Sequence, residues 1–191
     1  MTTWRATQKA NRRAELMASA ARLFAERGFA AVSTADLGDA VGMSGPALYR
    51  HFASKEALLC AVLVDASERL LDGGRAIAGT VAEPRAAIEA LIAFHLDFAT
   101  TDADVIRVQD HELTRLPADV NQRVRSLQRA YVQEWDGRFA LLRPDLDDAE
   151  RQTRLLAAFG LLNSTPHSAA PTGDRAGGIL AGMAQRALLE S

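Results

Sequence analysis

The sequence predicts an all-α protein of about nine helices. An N-terminal three-helix head carrying a helix-turn-helix precedes a C-terminal helical body. Three observations lead there. Apolar residues recur at three- and four-residue spacing along most of the chain, without the two-residue alternation of strands. Gly28, Gly42, Pro84, Pro117, Pro144, Pro166 and Pro171 punctuate those stretches. Hydroxyl residues stand where several of the periodic stretches begin, at Thr34, Ser44 and Ser54.

In the first helix, from about Lys9 to Arg27, Leu16, Ala20, Leu23 and Phe24 share one face, and Gly28 supplies the stop. Thr34 is expected to cap a brief second helix, with Leu37 and Val41 four apart and Gly42 at its end. Ser44 caps the third, where Pro46 falls in the first turn and its missing N–H removes no bond. Leu48 and Phe52 then face inward, which turns Gly45, Pro46, Tyr49 and Arg50 toward solvent. Ser54 caps a longer helix bearing Leu58, Leu59, Val62 and Leu63 and running to about Ile77. After a linker around residues 78–80, helices are expected over about 84–100, 103–115, 118–142, 147–165 and 174–190. The domain expectation is therefore 1–53 for the head, 54–78 for a connecting helix and 79–191 for the body.

Of the 191 residues, 48% are hydrophobic and 24% charged, enough apolar material for a real core. No apolar run approaches the roughly 18 residues that suggest a membrane span. The N-terminus lacks the apolar centre of a secretory signal, and the lone Cys60 forbids an internal disulfide, so a cytoplasmic location without membrane partners is expected. Charge is uneven. Residues 1–60 hold eight Lys and Arg against five acids, net +3, while the remainder holds fourteen against nineteen, net −5. A positive first third on an acidic body directs a polyanion to that third alone.

Two short helices joined by Gly42-Met43 have the helix-turn-helix layout. So short a third helix cannot hold itself together and must be packed by its neighbours. Its use is then to present a tip. Gly45 and Pro46 let its backbone approach a wide partner, Tyr49 and His51 carry hydrogen-bonding ends, and Thr34, Ser44 and Lys55 stand at or near helix starts, which favour anions. A recognition helix in a DNA major groove, held by flanking phosphate contacts, follows from that set.

The stretch STADLGDAVGMSGPALYRHFASKEALLCAVL resembles the DNA-binding region of the TetR family of bacterial one-component regulators. The likeness covers Ala14 to about Leu63, including Phe24, Gly28, Thr34, Gly42-Met43-Ser44, Leu48-Tyr49, His51-Phe52, Lys55-Glu56 and Leu58. It implies phosphate contacts from Thr34, the Ala47 backbone, Tyr49, His51 and Lys55, and base contacts from Gly45, Pro46, Tyr49 and Arg50. Gly38 stands where that pattern has Ala, which weakens an isolated second helix by about 1 kcal/mol. With Ala35, Gly45, Pro46 and Ala47 lacking polar side chains, direct readout reduces to thymine methyls, Arg50 to guanine and DNA shape. The arm bearing Arg5, Lys9, Arg12 and Arg13 reads equally as a backbone or minor-groove contact and as a solvated tail.

In the body, Phe94, Phe98, Ile106 and Leu113 are core-like, while His95, Gln109 and Glu112 lie in or beside the same apolar face, where unpaired polar groups are costly. They either satisfy one another or line a pocket. Tyr131 and Trp135, four apart, are expected in the core or in the pocket wall. Asn163 and His167 flank a proline-broken helix end as a polar loop or a ligand-facing bend. Arg123, Arg125 and Arg129 read as a solvated face or as a phosphate-holding mouth. The runs VIRVQDHELTRLP, RSLQRAYVQEW and RPDLD resemble a TetR subgroup implicated in lipid and sterol catabolism, which implies an acyl-CoA-like effector. The ligand set so expected is Phe94, His95, Phe98, Gln109, Glu112, Arg129, Tyr131, Trp135, Asn163 and His167.

No metal motif is present, since His111-Glu112 lacks ligand spacing, and no cofactor is expected. An enzyme would have only His95, His111 and Glu112 as acid or base and no nucleophile motif. The stripes Leu155, Leu156, Phe159, Leu162 and Ile179, Leu180, Met183, Ala187 offer two helices for a homodimeric four-helix bundle, the family's dimer mode. The expected function is a dimeric repressor released from a double-stranded, palindromic operator by a small hydrophobic or acyl-CoA-like effector. The alternatives are an activator or a response to another small molecule.

Overall fold

The computed structural model describes residues 4–173 and 175–190, and the side chains of residues 5 and 169–172 fall outside that description. Among the described residues there are ten α-helices and no strand: α1 (Trp4–Arg27), α2 (Thr34–Ala40), α3 (Gly45–Leu48), α4 (Lys55–Thr80), α5 (Pro84–Thr101), α6 (Ala103–Glu112), α7 (Ala118–Leu142), α8 (Asp148–Asn163), α9 (Thr165–Thr172) and α10 (Arg175–Leu189). A single 3-10 turn, Leu113–Arg115, follows α6.

Several elements differ from the sequence expectation: α4 runs to Thr80, so the expected linker at 78–80 is its last turn, and α6 ends at Glu112 where the following residues tighten into the 3-10 turn. Helix α1 begins at Trp4, so the basic arm is its first three turns and not an extension; the Arg5 side chain lies outside the described residues. Ser33, not Thr34, caps α2. Its hydroxyl accepts from the Asp36 N–H at 3.1 Å, and the Asp36 carboxylate accepts from the Ser33 N–H at 2.8 Å. This reciprocal pair satisfies two donors at once, which Thr34 with Leu37 three residues on does not offer. Helix α3 is one turn, and Tyr49, Arg50 and His51 continue it as a hydrogen-bonded turn. The tenth helix is α9, expected as a loop. Pro166 is its second residue, a position where the absent N–H has no acceptor to lose.

Two apolar clusters hold the molecule. In the first, Leu16, Leu23, Phe24, Leu37, Leu48 and Phe52 of the head pack with Leu58, Leu59, Val62 and Leu63 of α4, and the same cluster continues into Phe98, Val105, Ile106, Val108 and Val124. Head and body therefore share one core across α4. The second gathers Leu71, Ile88, Leu91, Ile92, Tyr131, Trp135, Phe139, Leu155, Leu162, Ala184 and Leu188 around α4, α5, α7, α8 and α10. Close approach to α4 is made possible by two adjacent glycines. The Phe94 ring occupies the space a side chain at Gly73 would fill, and the Tyr131 ring carbons come within 2.6 Å of where a Gly74 Cβ would sit.

Gly38 has an analogous role in the head. A Cβ there would lie 2.5 Å from the Met43 carbonyl oxygen, and the Met43 N–H donates to the Gly38 carbonyl at 2.8 Å. The turn between α2 and α3 closes directly onto residue 38, so the glycine that weakens α2 as an isolated helix is what allows the helix-turn-helix to close.

Candidate functional site

On the head, the inward pair Leu48 and Phe52 is buried, and Pro46, Tyr49 and Arg50 are exposed, Tyr49 by 51%. Gly45 and Ala47 are half-buried, and Thr34 is the half-buried first residue of α2. Ser44 is the exposed N-cap of α3 with its hydroxyl unused by the helix. Beside this surface, Gln8, Lys9 and Arg12 of α1 face Arg50 and His51 across an open groove. The basic first turns of α1 and the end of the recognition turn thus form one continuous cationic surface.

Two side chains of the expected set are also structural. The Lys55 ammonium donates to the Phe29 carbonyl at 2.9 Å and the Val32 carbonyl at 2.7 Å, and it lies 4.4 Å from the Phe29 ring centroid. Two of its three N–H donors tie the start of α4 to the α1–α2 loop, leaving one for a partner. Arg13, read in the sequence only as part of a basic arm, stacks over Phe52 at 4.1 Å and donates to the His51 carbonyl at 3.2 Å. It pins the recognition turn to α1. No sequence pattern marks that contact, because its acceptor is backbone. The His51 Nδ1 atom is buried without a hydrogen-bond partner among the described residues.

In the body, a cavity of about 230 Å³ lies between α4, α5, α6, α7 and α8. His95, Phe98, Gln109, Tyr131 and Asn163, all expected, line it. His95 is buried at the centre of an aromatic shell, stacked on Tyr131 with ring centroids 5.8 Å apart and edge-on to Phe159 at 5.2 Å. Its Nε2 bonds Asn163 Oδ1 at 3.0 Å and its Nδ1 meets the Tyr131 hydroxyl at 3.3 Å. With the amide oxygen accepting, Nε2 carries the proton and Nδ1 accepts from the tyrosine. Burial pushes the imidazole down to about 4, against the Asn163 bond that favours its protonated form, and burial raises the Tyr131 phenol. Both are neutral near pH 7.

Five expected ligand residues stand elsewhere. Phe94 packs on Gly73, and Trp135 is fully buried behind the wall with its Nε1 unpartnered among the described residues. Glu112 is buried with Arg115 Nη1 3.3 Å from its Oε2, a charge contact whose alignment makes no hydrogen bond. Arg129 is exposed, and His167 sits on α9 with its Nε2 3.1 Å from Asp110. The arginine-rich mouth does not form: Arg123 is turned to Glu68 and Arg125 to Asn121, and neither they nor Arg129 line the cavity. The lining that sequence reasoning missed includes Ser67, Gln128 and Val132. Gln128 had a legible signal, lying three residues before Tyr131 on the same face of α7.

A helix-turn-helix with an exposed recognition turn, joined through a shared helix to an all-helical body that holds a cavity, defines a nucleic-acid-binding class of protein. The comparisons agree. Residues 16–62 match the family described as bacterial regulatory proteins, tetR family. The transcriptional repressor KstR2 of Mycolicibacterium smegmatis is 32% identical over 151 residues, 74% of this chain and 72% of that protein. KstR2 of Rhodococcus jostii is 33% identical over 111 residues, 58% of this chain, and the transcriptional activator FasR of M. smegmatis 33% over 97 residues, 51% of this chain. Those two matches span only 54% and 44% of the relatives' own lengths. A TetR-family regulator from Bordetella parapertussis superposes with a TM-score of 0.82 at 25% identity, covering 94% of each chain. AibR, solved with isovaleryl coenzyme A and operator DNA, shares the fold with a TM-score of 0.78 at 19% identity, over 93% of this chain and 98% of its own. The chain belongs to the TetR family of transcriptional regulators, a family of regulators and not of enzymes.

Proposed function

We propose that the chain is a cytoplasmic, homodimeric regulator that binds a near-palindromic DNA operator and leaves it when a small apolar or acyl-CoA-like effector enters the body cavity. Residues 1–53 act as the reading head, 54–78 as the connecting helix and 79–191 as the ligand and dimer domain. Phosphate contacts come from Thr34, Ser44, the Ala47 backbone, Tyr49, His51 and the one remaining Lys55 donor. Base edges meet Gly45, Pro46, Tyr49 and Arg50.

The observation that carries the reading is the exposed Pro46–Tyr49–Arg50 surface, backed by buried Leu48 and Phe52 and flanked by Lys9 and Arg12. A packed inner side with a cationic outer side is what groove docking requires. The effector arm is supported by the cavity and by AibR, whose structure holds both isovaleryl coenzyme A and operator DNA. The sign of regulation has two precedents, KstR2 a repressor and FasR an activator. Repression is preferred because the KstR2 match spans more of the chain.

A mobility-shift titration against the promoter of the chain's own gene tests the reading. A sequence-selective shift that weakens steeply with salt is expected; no shift at low salt and any protein concentration overturns it.

A further inference from the structure

The cavity lining carries no Lys, Arg, Asp or Glu. Its polar groups are the amides of Gln109, Gln128 and Asn163, the Ser67 and Tyr131 hydroxyls and the His95 ring. Ser67 is spent on the Leu63 carbonyl, 2.8 Å away in its own helix, and His95 is engaged at both nitrogens, by Tyr131 and by the Asn163 oxygen. Among the described residues, the Asn163 amide nitrogen and the side chains of Gln109 and Gln128 make no hydrogen bond within the protein. The groups free to meet a ligand are therefore uncharged amides.

From this we infer that the cavity selects uncharged ligands, an apolar body carrying a carbonyl or hydroxyl group, and rejects free carboxylates and ammonium ions. The inference rests on the cavity being the effector site, and it narrows the chemistry of that site. An amide, ester, ketone, alcohol or the acyl end of a thioester meets the Asn163, Gln109 and Gln128 amides without bringing a charge inside. A carboxylate loses its water and finds no cation, and an ammonium finds no anion. The aromatic shell around His95 offers ring faces to a cation, but no carboxylate stands among the lining residues to offset its desolvation. A charged coenzyme moiety of a larger effector has to stay outside.

The test uses three probes of equal chain length: octanamide, octanoate and octylammonium. The protein has two tryptophans, exposed Trp4 and fully buried Trp135, which lies 4.8 Å centroid-to-centroid from the cavity residue Phe159. Trp4→Phe in the full chain leaves Trp135 as the sole reporter. At pH 7.5, octanamide is expected to change Trp135 emission saturably, with octanoate and octylammonium weaker by about 100-fold or more. Gln128→Arg, at a half-buried position on the cavity wall, is expected to admit octanoate and invert the order. Equal binding of octanamide and octanoate, preference for octylammonium, failure of all three up to their solubility limits, or an unchanged order in Q128R overturns the inference. Operator release is read separately in the mobility shift. Octanamide that binds without releasing the operator counts against the effector reading and leaves the charge selection standing.

Discussion

Arg69 of α4 grips Asp102 at the α5–α6 corner through two parallel hydrogen bonds, of 2.7 and 3.1 Å, while its Nε holds Asp65 at 3.0 Å. The same guanidinium lies 5.6 Å from the Phe98 ring, which lines the cavity. One turn beyond the corner, Val105 borders both the cavity and the cleft between α1 and α4. A ligand that displaced Phe98 or Val105 would therefore press on the corner that Arg69 holds to the helix entering the head. A coupling element needs this property, two sites biasing one structural joint.

Arg69→Gln is expected to reduce stability by only about 1 kcal/mol, because the pair is partly exposed to solvent. Its effect on coupling is larger. The ratio of operator Kd values with and without octanamide is expected to shrink at least about fivefold, the lower end of ordinary coupling energies. An unchanged ratio removes Arg69 from the path.

Gly38→Ala sets two magnitudes against each other. Alanine gains about 1 kcal/mol in helix propensity. Its Cβ, however, meets the Met43 carbonyl oxygen at 2.5 Å, and that atom is backbone inside a closed turn. The clash is expected to win, with a net loss of about 1–3 kcal/mol and a lower Tm. Weaker operator binding should accompany it, since the α2–α3 angle has to open. A higher Tm for G38A would show that propensity decides.

Tyr49 and Lys55 separate reading from folding. Tyr49→Ala alters an exposed side chain, so stability should stay within about 0.5 kcal/mol while operator affinity falls about tenfold or more. Lys55→Met keeps the apolar stem near Phe29 but deprives the Phe29 and Val32 carbonyls of their donor, a loss of about 1–2 kcal/mol. Urea unfolding midpoints and operator titrations on both variants check the contrast. A Y49A that binds the operator as tightly as the parent, or a K55M as stable as the parent, would contradict the division of roles.

Stability should carry a His95 signature in pH. In the unfolded chain the imidazole has its ordinary value of 6.5, and in the fold burial holds it at about 4. Between those values the unfolded chain binds the proton and the folded one does not, so acid favours unfolding. The contribution is fully present above about pH 6.5 and fades as pH falls toward 4, by about 3 kcal/mol in all. The stability difference between the parent and His95→Gln is expected to narrow by that amount from pH 7 to pH 4. A difference independent of pH would show that the fold does not depress the His95 imidazole.

The head was legible in the sequence because each of its devices is local. Leu48 and Phe52 four apart, Pro46 at a helix start and Gly28 and Gly42 at stops all act within one turn, and the last two do take positive φ. Ser33 was legible too, since Asp36 three residues on distinguishes it from Thr34, but the neighbouring hydroxyl masked it. The body was less so. His95, Tyr131 and Asn163 meet across 36 and 68 residues of chain, and no spacing rule joins residues that packing alone brings together. The Lys55 and Arg13 contacts were not legible at all, because their acceptors are carbonyls that carry no residue identity.

The proposed homodimer has a candidate surface in what α8 and α10 leave uncovered. Leu155, Phe159, Leu162 and Leu180 of the expected stripes are spent on the protomer's own core. Leu156, Ile179 and Met183 remain 54%, 48% and 43% exposed, with Ala157, Gly160, Gly178 and Ala187 exposed around them. Helices α8 and α10 pack on each other, and Leu156 also borders the body cavity. Small residues between larger apolar ones let two such faces approach closely across a two-fold axis. Ile179→Glu places a charge at that contact without touching the protomer core. It is expected to convert the dimer into a 20.6 kDa monomer in sedimentation, with an unchanged helical spectrum and operator affinity reduced by the loss of the second half-site. Leu141→Glu, at a still more exposed apolar position on α7, should leave the dimer intact. An I179E protein that stays dimeric, or an L141E protein that does not, would move the interface to another face.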